Sequence, residues 1–323
     1  MDELFRMISG IYGRLLNSTT EALEITPWRF IWGQKLGYIV VFSLFLLLLL
    51  LVMSFKDRLA KSRKLFTMVS YGILAFSFVY VGLVVKAQPT TTNIVIVLDS
   101  LAEGEIPLGL FIMEPYIFMS FIFIFASVLL WGRGVFCGWL CPYGALLELL
   151  NRLYAKFFPK FRMVLPEKVH GKLIYLKHIF FFCIAGASFY SFTLSEYMSE
   201  VEPFKTFLLK LNRQWYFILY FVIITAGSMV IYRAYCRYIC PLGAALSLPS
   251  FIKGLPLVKL KRRPLCGTCK ICGKACEYQA IAPSGAINTR ECLDCLECQM
   301  NFMDEQRCPD LIRQRKAKGQ ESG

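Results

Sequence analysis

The sequence predicts an all-α membrane domain of five transmembrane helices, followed by a small Cys-rich α+β domain. Three observations carry this: long apolar runs, basic residues gathered in alternate connections, and a late crowding of cysteines. Of 323 residues, 56% are hydrophobic and the mean hydropathy is +0.53, too apolar for an ordinary soluble domain. A net charge of +14 would suit nucleic acid, but no nucleic-acid module accompanies it. Basic cytoplasmic loops of a membrane protein explain the same excess. Membrane lipid, not nucleic acid, is therefore the expected surrounding partner.

A bilayer core needs about 20 apolar residues in a helix. Five segments qualify: Leu36–Phe55, Leu65–Val85, Leu108–Trp131, Leu173–Leu194 and Trp215–Arg233. The connections set their direction. Residues 56–64 carry Lys56, Arg58, Lys61, Arg63 and Lys64 against one acid, and 132–172 are also basic. By contrast, 87–107 hold Asp99, Glu103 and Glu105, and 195–214 are balanced in charge. The positive-inside rule puts the basic loops in the cytoplasm of a bacterial inner membrane. The N-terminus is then outside and the Cys-rich tail inside. Residues 1–35 have no cleavable signal pattern and are expected as an extracytoplasmic segment, an amphipathic helix along the outer surface. The expected divisions are 1–35, a helical domain 36–233 with two Cys motifs, a linker 234–263 and the tail 264–323.

Ten of the thirteen cysteines follow residue 235, which reads as metal ligation on a reducing face rather than a disulfide framework. Cys266, Cys269, Cys272 and Cys276 stand as CxxCxxCxxxC, the spacing by which bacterial ferredoxins hold 4Fe-4S clusters. Cys292, Cys295 and Cys298 repeat it, followed by Cys308-Pro309. With the fourth ligands crossing, one cluster takes Cys266, Cys269, Cys272 and Cys308. The other takes Cys292, Cys295, Cys298 and Cys276. The tail is thus expected to be a bacterial dicluster ferredoxin-like (α+β) domain. Glu277 stands where Pro usually follows the fourth ligand, and nine residues rather than three separate Cys298 from Cys308. Zinc fits worse: a third Cys at the same pitch has no role in a zinc knuckle, and no His follows His178.

A second pattern is a repeat. Phe136-Cys137 to Cys141-Pro142-Tyr-Gly144-Ala145 matches Tyr235-Cys236 to Cys240-Pro241-Leu-Gly243-Ala244, both (F/Y)CxxxCPxGA. Pro suits the first position of a helix, so Cys141 and Cys240 should be N-caps at the cytoplasmic edge of the membrane. Cys137, Cys141, Cys236 and Cys240 could hold a metal or further cluster, cycle between dithiol and disulfide, or brace the helix ends. A joint redox role is favoured by their shared depth. After Pro142, Leu146, Leu149, Leu150, Leu153, Tyr154 and Phe157 form an apolar stripe opposite Arg152 and Lys156, the pattern of a helix lying on the inner leaflet. His170 and His178 share one helix end and cannot grip a haem from two sides. His178 is read as a satisfied interfacial side chain, with a quinone pocket the alternative. Lone Cys183 reads as a small apolar residue.

Over residues 36–312 these parts together resemble the membrane half of the NosR/NirI family. NapH-type quinol dehydrogenase subunits and the CcoG copper-reductase group share them. The resemblance implies an electron-transfer chain with a quinol or cytoplasmic donor and a redox partner protein, serving an extracytoplasmic metalloenzyme. That family carries a flavin-binding domain before the helices. Only about 35 residues precede them here, so no FMN is expected on this chain and a separate flavin-binding subunit is a candidate partner. Alternative functions are copper reduction for metalloenzyme maturation, and redox-sensing regulation. No catalytic triad, phosphate loop or carboxylate pair competes as a site.

Overall fold

The computed structural model describes residues 27–321 apart from 87, 103, 105–107, 210 and 261. Among the described residues three helices are long and apolar enough, by length and composition, to cross a membrane: Leu36–Ser54, Arg63–Val84 and Glu167–Tyr190. Their packing is inverted relative to a soluble bundle. Ser70, Ser77, Ser120, Ser127, Ser188 and Ser228 are buried, whereas Leu44, Leu47, Phe125, Val222 and Ile223 face outward. Small polar residues let helices approach closely where lipid, not water, surrounds them.

The expected third and fifth spans differ. They are 16-residue helices, Pro115–Leu130 and Trp215–Val230. At 1.5 Å per residue each is about 24 Å long, short of the ~30 Å hydrocarbon core. Instead of leaving the bundle, the chain turns back into it after each one. Gly132 N–H bonds to Ser127 O and Arg233 N–H to Ser228 O, both five residues back at 3.1 Å. Among the described residues, three of the five expected spans are thus long enough by length and composition. The other two are shorter apolar helices, the third preceded by Leu108–Met113 and both followed by a returning segment.

The helix Pro142–Phe157 also differs from the expected surface helix. It packs between the Arg63–Val84 helix and Trp215–Val230, burying Tyr143, Ala145, Leu147, Glu148 and Asn151. The polar Glu148–Asn151 side faces inward, and Leu153 and Phe157 of the apolar stripe face outward. A helical pattern gives the stripe's angle but not which side is solvent.

The acidic and balanced connections are not open loops. Thr91–Ala102 packs on the Leu176–Tyr190 helix, and Phe192–Met198 and Phe204–Leu208 fold back over the bundle. They lie at the end away from the tail. At that same end Pro27–Gln34 is tied down by Trp32, whose Nε1 donates to Ile112 O at 2.8 Å. Lys35 pairs with Glu114 at 3.7 Å. Residues 1–26, including most of the expected surface helix, lie outside the described residues.

Basic loop residues Lys61 and Arg63 line one cavity with Met303 and Asp304 at the opposite end. The tail itself departs from α+β: among the described residues its only β pairing is one antiparallel bridge, Ile281 to Ile287. Short helices, Ile271–Ala275 and Glu297–Met303, supply the rest.

Candidate redox centres

The two Cys motifs fold alike. Each returning segment is a wide helical turn, Phe136–Leu140 and Tyr235–Ile239. Each is closed by a bond five residues back: Cys141 N–H to Phe136 O and Cys240 N–H to Tyr235 O, both 2.9 Å. Both second cysteines are N-caps, as Pro at the next position foretells. Gly144 N–H donates to Cys141 Sγ at 3.4 Å and Gly243 N–H to Cys240 Sγ at 3.3 Å.

The motifs sit inside the bundle, not at its edge. The Ser77 hydroxyl donates to Leu140 O at 2.6 Å. Ser77 follows the 14-residue stretch Arg63–Phe76, about 21 Å of helix above the basic loop. Cys137, Cys141, Cys236 and Cys240 line one cavity together with Phe136, Tyr143, Tyr235, Phe204, Gln88 and Leu293. Its volume of about 20 Å³ holds one water or one ion.

Two arginines lock the halves together. Arg133 Nη1 donates to Gly243 O of the second half at 3.1 Å, and Arg233 Nη1 to Cys137 O of the first at 3.2 Å. Both are at most 2% exposed. Glu148 balances Arg233 at 3.1 Å and also takes Arg152 at 2.8 Å and the Tyr232 hydroxyl at 2.6 Å. Arg133 looks instead to the tail, to Glu291 Oε2 at 3.1 Å and the Tyr278 hydroxyl at 3.3 Å. Lys177, fully buried, completes that group at 2.6 Å from Glu291 Oε1. Burial disfavours the Glu291 charge, but Arg133 and Lys177 outweigh it and hold the carboxyl below its ordinary range.

The tail docks directly on the first motif. Trp139 Nε1 donates to Asp294 O at 3.0 Å. A side chain at 138 would run into Leu293 O, so only glycine admits this contact. Cys266, Cys269, Cys272 and Cys308 line one cavity of about 480 Å³. Cys295 feels the charges of Cys276 and Cys298, Cys292 those of Cys295 and Cys298, and Cys298 that of Cys272 as well. Among the described residues no three His, Cys, Asp or Glu side chains converge on single-ion geometry. Four thiols round a cavity of this size, Cys266, Cys269, Cys272 and Cys308, suit a cubane, whose irons each take a separate thiolate.

Both departures from the ferredoxin pattern have a structural account. Glu277 forms a forked ion pair with Arg162, one branch at 2.7 Å. The nine residues before Cys308 begin with the last five of the Glu297–Met303 helix, and Arg263 Nη1 lies 3.2 Å from Cys308 Sγ.

His170 meets the Tyr238 hydroxyl at 3.1 Å, and His178 meets Ser247 at 3.0 Å and Ile174 O at 3.3 Å. Both are thus satisfied by protein partners. Cys183 is exposed on the outward face beside Phe182. Sequence reasoning missed Arg133, Arg233, Glu291 and Gln88. An arginine shortly before each motif was the one available signal for the first pair.

The NosR family profile matches residues 264–319, and a 4Fe-4S binding domain profile matches 113–160 and 214–259, one stretch for each thiol motif. The regulatory protein NosR of Pseudomonas aeruginosa is 42% identical over 292 residues, 90% of this chain and 40% of that protein. A second NosR sequence from Pseudomonas aeruginosa is 51% identical over 88 residues, 86% of its length. The protein NirI of Paracoccus denitrificans is 37% identical over 92% of this chain and 43% of its own length. This chain thus spans about 40% of the length of the full NosR and NirI relatives. No solved structure matches it. Apolar helices, two cysteine-rich sets and these relationships agree: the chain belongs to the NosR/NirI family and is a membrane protein with 4Fe-4S binding domains.

Proposed function

We propose that the protein passes electrons from a cytoplasmic donor or a quinol through two tail clusters to the four-thiol centre. From there they go to a redox partner that serves an extracytoplasmic metalloenzyme. Cys266, Cys269, Cys272 and Cys308 would hold one 4Fe-4S cluster, and Cys276, Cys292, Cys295 and Cys298 the other. When bound, the clusters supply one-electron chemistry. The chain's own residues set their order and their surroundings.

One observation carries this reading: Leu293 sits between Cys292 and the four-thiol cavity, lining it. Glu291, one residue before Cys292, is bonded to the Arg133 that leads into the first motif. The tail thiols are thereby fixed against the bundle thiols without a flexible joint. The basic loop at the tail end supports a cytoplasmic tail, with the Thr91–Ala102 end outside.

Anaerobically purified protein should carry about eight irons per chain in its tail. EPR of the reduced protein should show two interacting clusters, and Cys137→Ser/Cys236→Ser should stop electron flow beyond them while leaving those signals. Fewer than about four irons, or unchanged through-flow in the double variant, would sink the proposal. Handling of a single Cu(I) is the second reading, favoured by soft thiols around a small cavity. Stoichiometric copper in the wild type, lost in the same double variant, would select it.

A further inference from the structure

The tail's two thiol groups sit in unlike charge surroundings. Two arginines just before the first ligand run, Arg262 and Arg263, reach its thiols. Arg263 N–H donates to Cys266 Sγ at 3.4 Å, and its Nη1 lies 3.2 Å from Cys308 Sγ. That guanidinium is held in place: Nη1 donates to Phe302 O at 3.0 Å, the Phe302 ring centre is 4.2 Å away, and Asp310 is 3.5 Å from Nε. Arg262 lines both the Cys266, Cys269, Cys272 and Cys308 cavity and a neighbouring one of about 180 Å³, bounded by Cys292 and Asp294. Its Nε and Nη2 are buried with no protein partner, and its charge reaches Cys266, Cys272 and Cys298. Lys270, Lys274 and Arg307 also line the first cavity, against Glu167 and Asp310. Around the other group the balance differs. Asp294, 5% exposed and only partly offset by Lys56, adds negative charge at Cys292 and Cys298, and Glu148 does so at Cys295. Arg237 at Cys276 and Arg262 at Cys298 are the cations facing it. Buried guanidinium N–H groups without an acceptor are costly. Two of them where the cavities meet point to an acceptor in that space, and cluster sulfur is one.

We propose that Arg262 and Arg263 set the order in which the two tail clusters take electrons, so that the one on Cys266, Cys269, Cys272 and Cys308 is reduced first. This rests on the reading that both thiol groups hold 4Fe-4S clusters. Reduction adds one negative charge to a cluster. A fixed cation with N–H groups aimed at its sulfurs stabilises that charge, and a buried carboxylate opposes it. Both guanidiniums keep their protons at any accessible pH, so no proton moves and no bond breaks. Arg263 acts on the first cluster alone, through Cys266 and Cys308. Arg262 acts on both, as the charge they share. The cluster beside the bundle, on Cys276, Cys292, Cys295 and Cys298, is thereby the stronger reductant, and the first is the store.

The test is a potentiometric titration of the full anaerobic chain in detergent, with dithionite as the reductant and EPR as the readout. Two one-electron steps are expected. Arg263→Gln should lower the upper step alone, changing its reduction equilibrium about tenfold, or about 59 mV. Arg263→Lys, which keeps the charge but not the fork, should recover part of that. Arg262→Gln should lower both steps, and Asp294→Asn should raise only the lower one. Should Arg263→Gln lose iron, two variants decide: Arg262→Gln, which breaks no protein bond of Nε or Nη2, and the isosteric Asp294→Asn. An upper step unmoved in Arg263→Gln, or a lower step unmoved in both other variants, overturns the assignment and leaves the clusters standing. Fewer than about four irons per wild-type chain would end the cluster reading itself.

Discussion

The two halves of the thiol site are alike within and different without. Each has the returning turn, the Cys N-cap, the glycine N–H on sulfur and an arginine reaching across to the other half. Beyond that they part. In the first half, Arg133 and Trp139 reach the tail, at Glu291 and Asp294. In the second, Arg233 turns to Glu148 of the bundle and Tyr238 to His170, and Arg237 donates to Gln279 of the tail. The inner contacts suit a shared centre. The outer ones differ in kind: the first half meets the tail through the buried Arg133–Glu291 pair, and the second through the Arg237–Gln279 hydrogen bond while Arg233 anchors the bundle.

Removing the acid on each side tests that division most severely. Glu291→Ala leaves two buried cations, Arg133 and Lys177, without their counter-charge. Breaking a buried pair from one side costs about 3–5 kcal/mol. The tail should undock, read as early protease cleavage near residue 290 and loss of the cluster absorbance. Glu148→Ala strands one fully buried cation, since Arg152 is part-exposed and keeps its Ser70 contact. It should cost about 3 kcal/mol, the low end of that range, because Arg233 keeps the Cys137 carbonyl, and leave the clusters in place. Equal cluster loss in both variants would erase the proposed division of labour.

The next effect comes from backbone fit. Gly138 and Arg237 hold equivalent positions, the residue after the first cysteine of each motif. A large side chain is accommodated at 237, whereas at 138 the Leu293 carbonyl occupies the space. Gly138→Ala should therefore cost about 1–3 kcal/mol by overpacking. Faster hydrogen exchange confined to 291–296 would show it. Unchanged exchange there would mean that the tail does not rest on this turn.

Much of this was legible beforehand and some could not be. Cysteine spacing grouped the tail thiols, and Pro142 and Pro241 placed the N-caps, because both signals are local. Depth was the failure. Arg133 and Glu148 fall in the basic 132–172 connection and Arg233 at the end of an expected span, yet all three are buried partners. A charge tally has no means of separating a solvated cation from one neutralised inside a bundle, since the partner comes from distant sequence. The returning turns were hidden for the same reason: a run such as Val135–Leu140 is apolar whether it leaves the membrane or re-enters it. Gln88 falls in the acidic 87–107 connection, where a polar residue carries no signal.

The smallest predicted effect is the sharpest on the symmetry itself. Phe136 and Tyr235 are equivalent, so Tyr235→Phe makes the second half resemble the first. The Tyr235 hydroxyl is buried with no protein partner, and deleting it removes no bond within the fold. Stability should change by less than about 0.5 kcal/mol, or rise slightly as an unsatisfied polar group disappears. A hydroxyl facing the thiols would, however, stabilise their more negative, reduced state by donating to sulfur. The midpoint of the four-thiol centre should consequently drop in Tyr235→Phe, with the tail potentials as internal standard. Phe136→Tyr should raise it if the halves are equivalent toward the occupant. An unmoved midpoint in both variants would mean that the two aromatic residues serve packing alone, and that the centre's surroundings are set by Gln88 and the arginines.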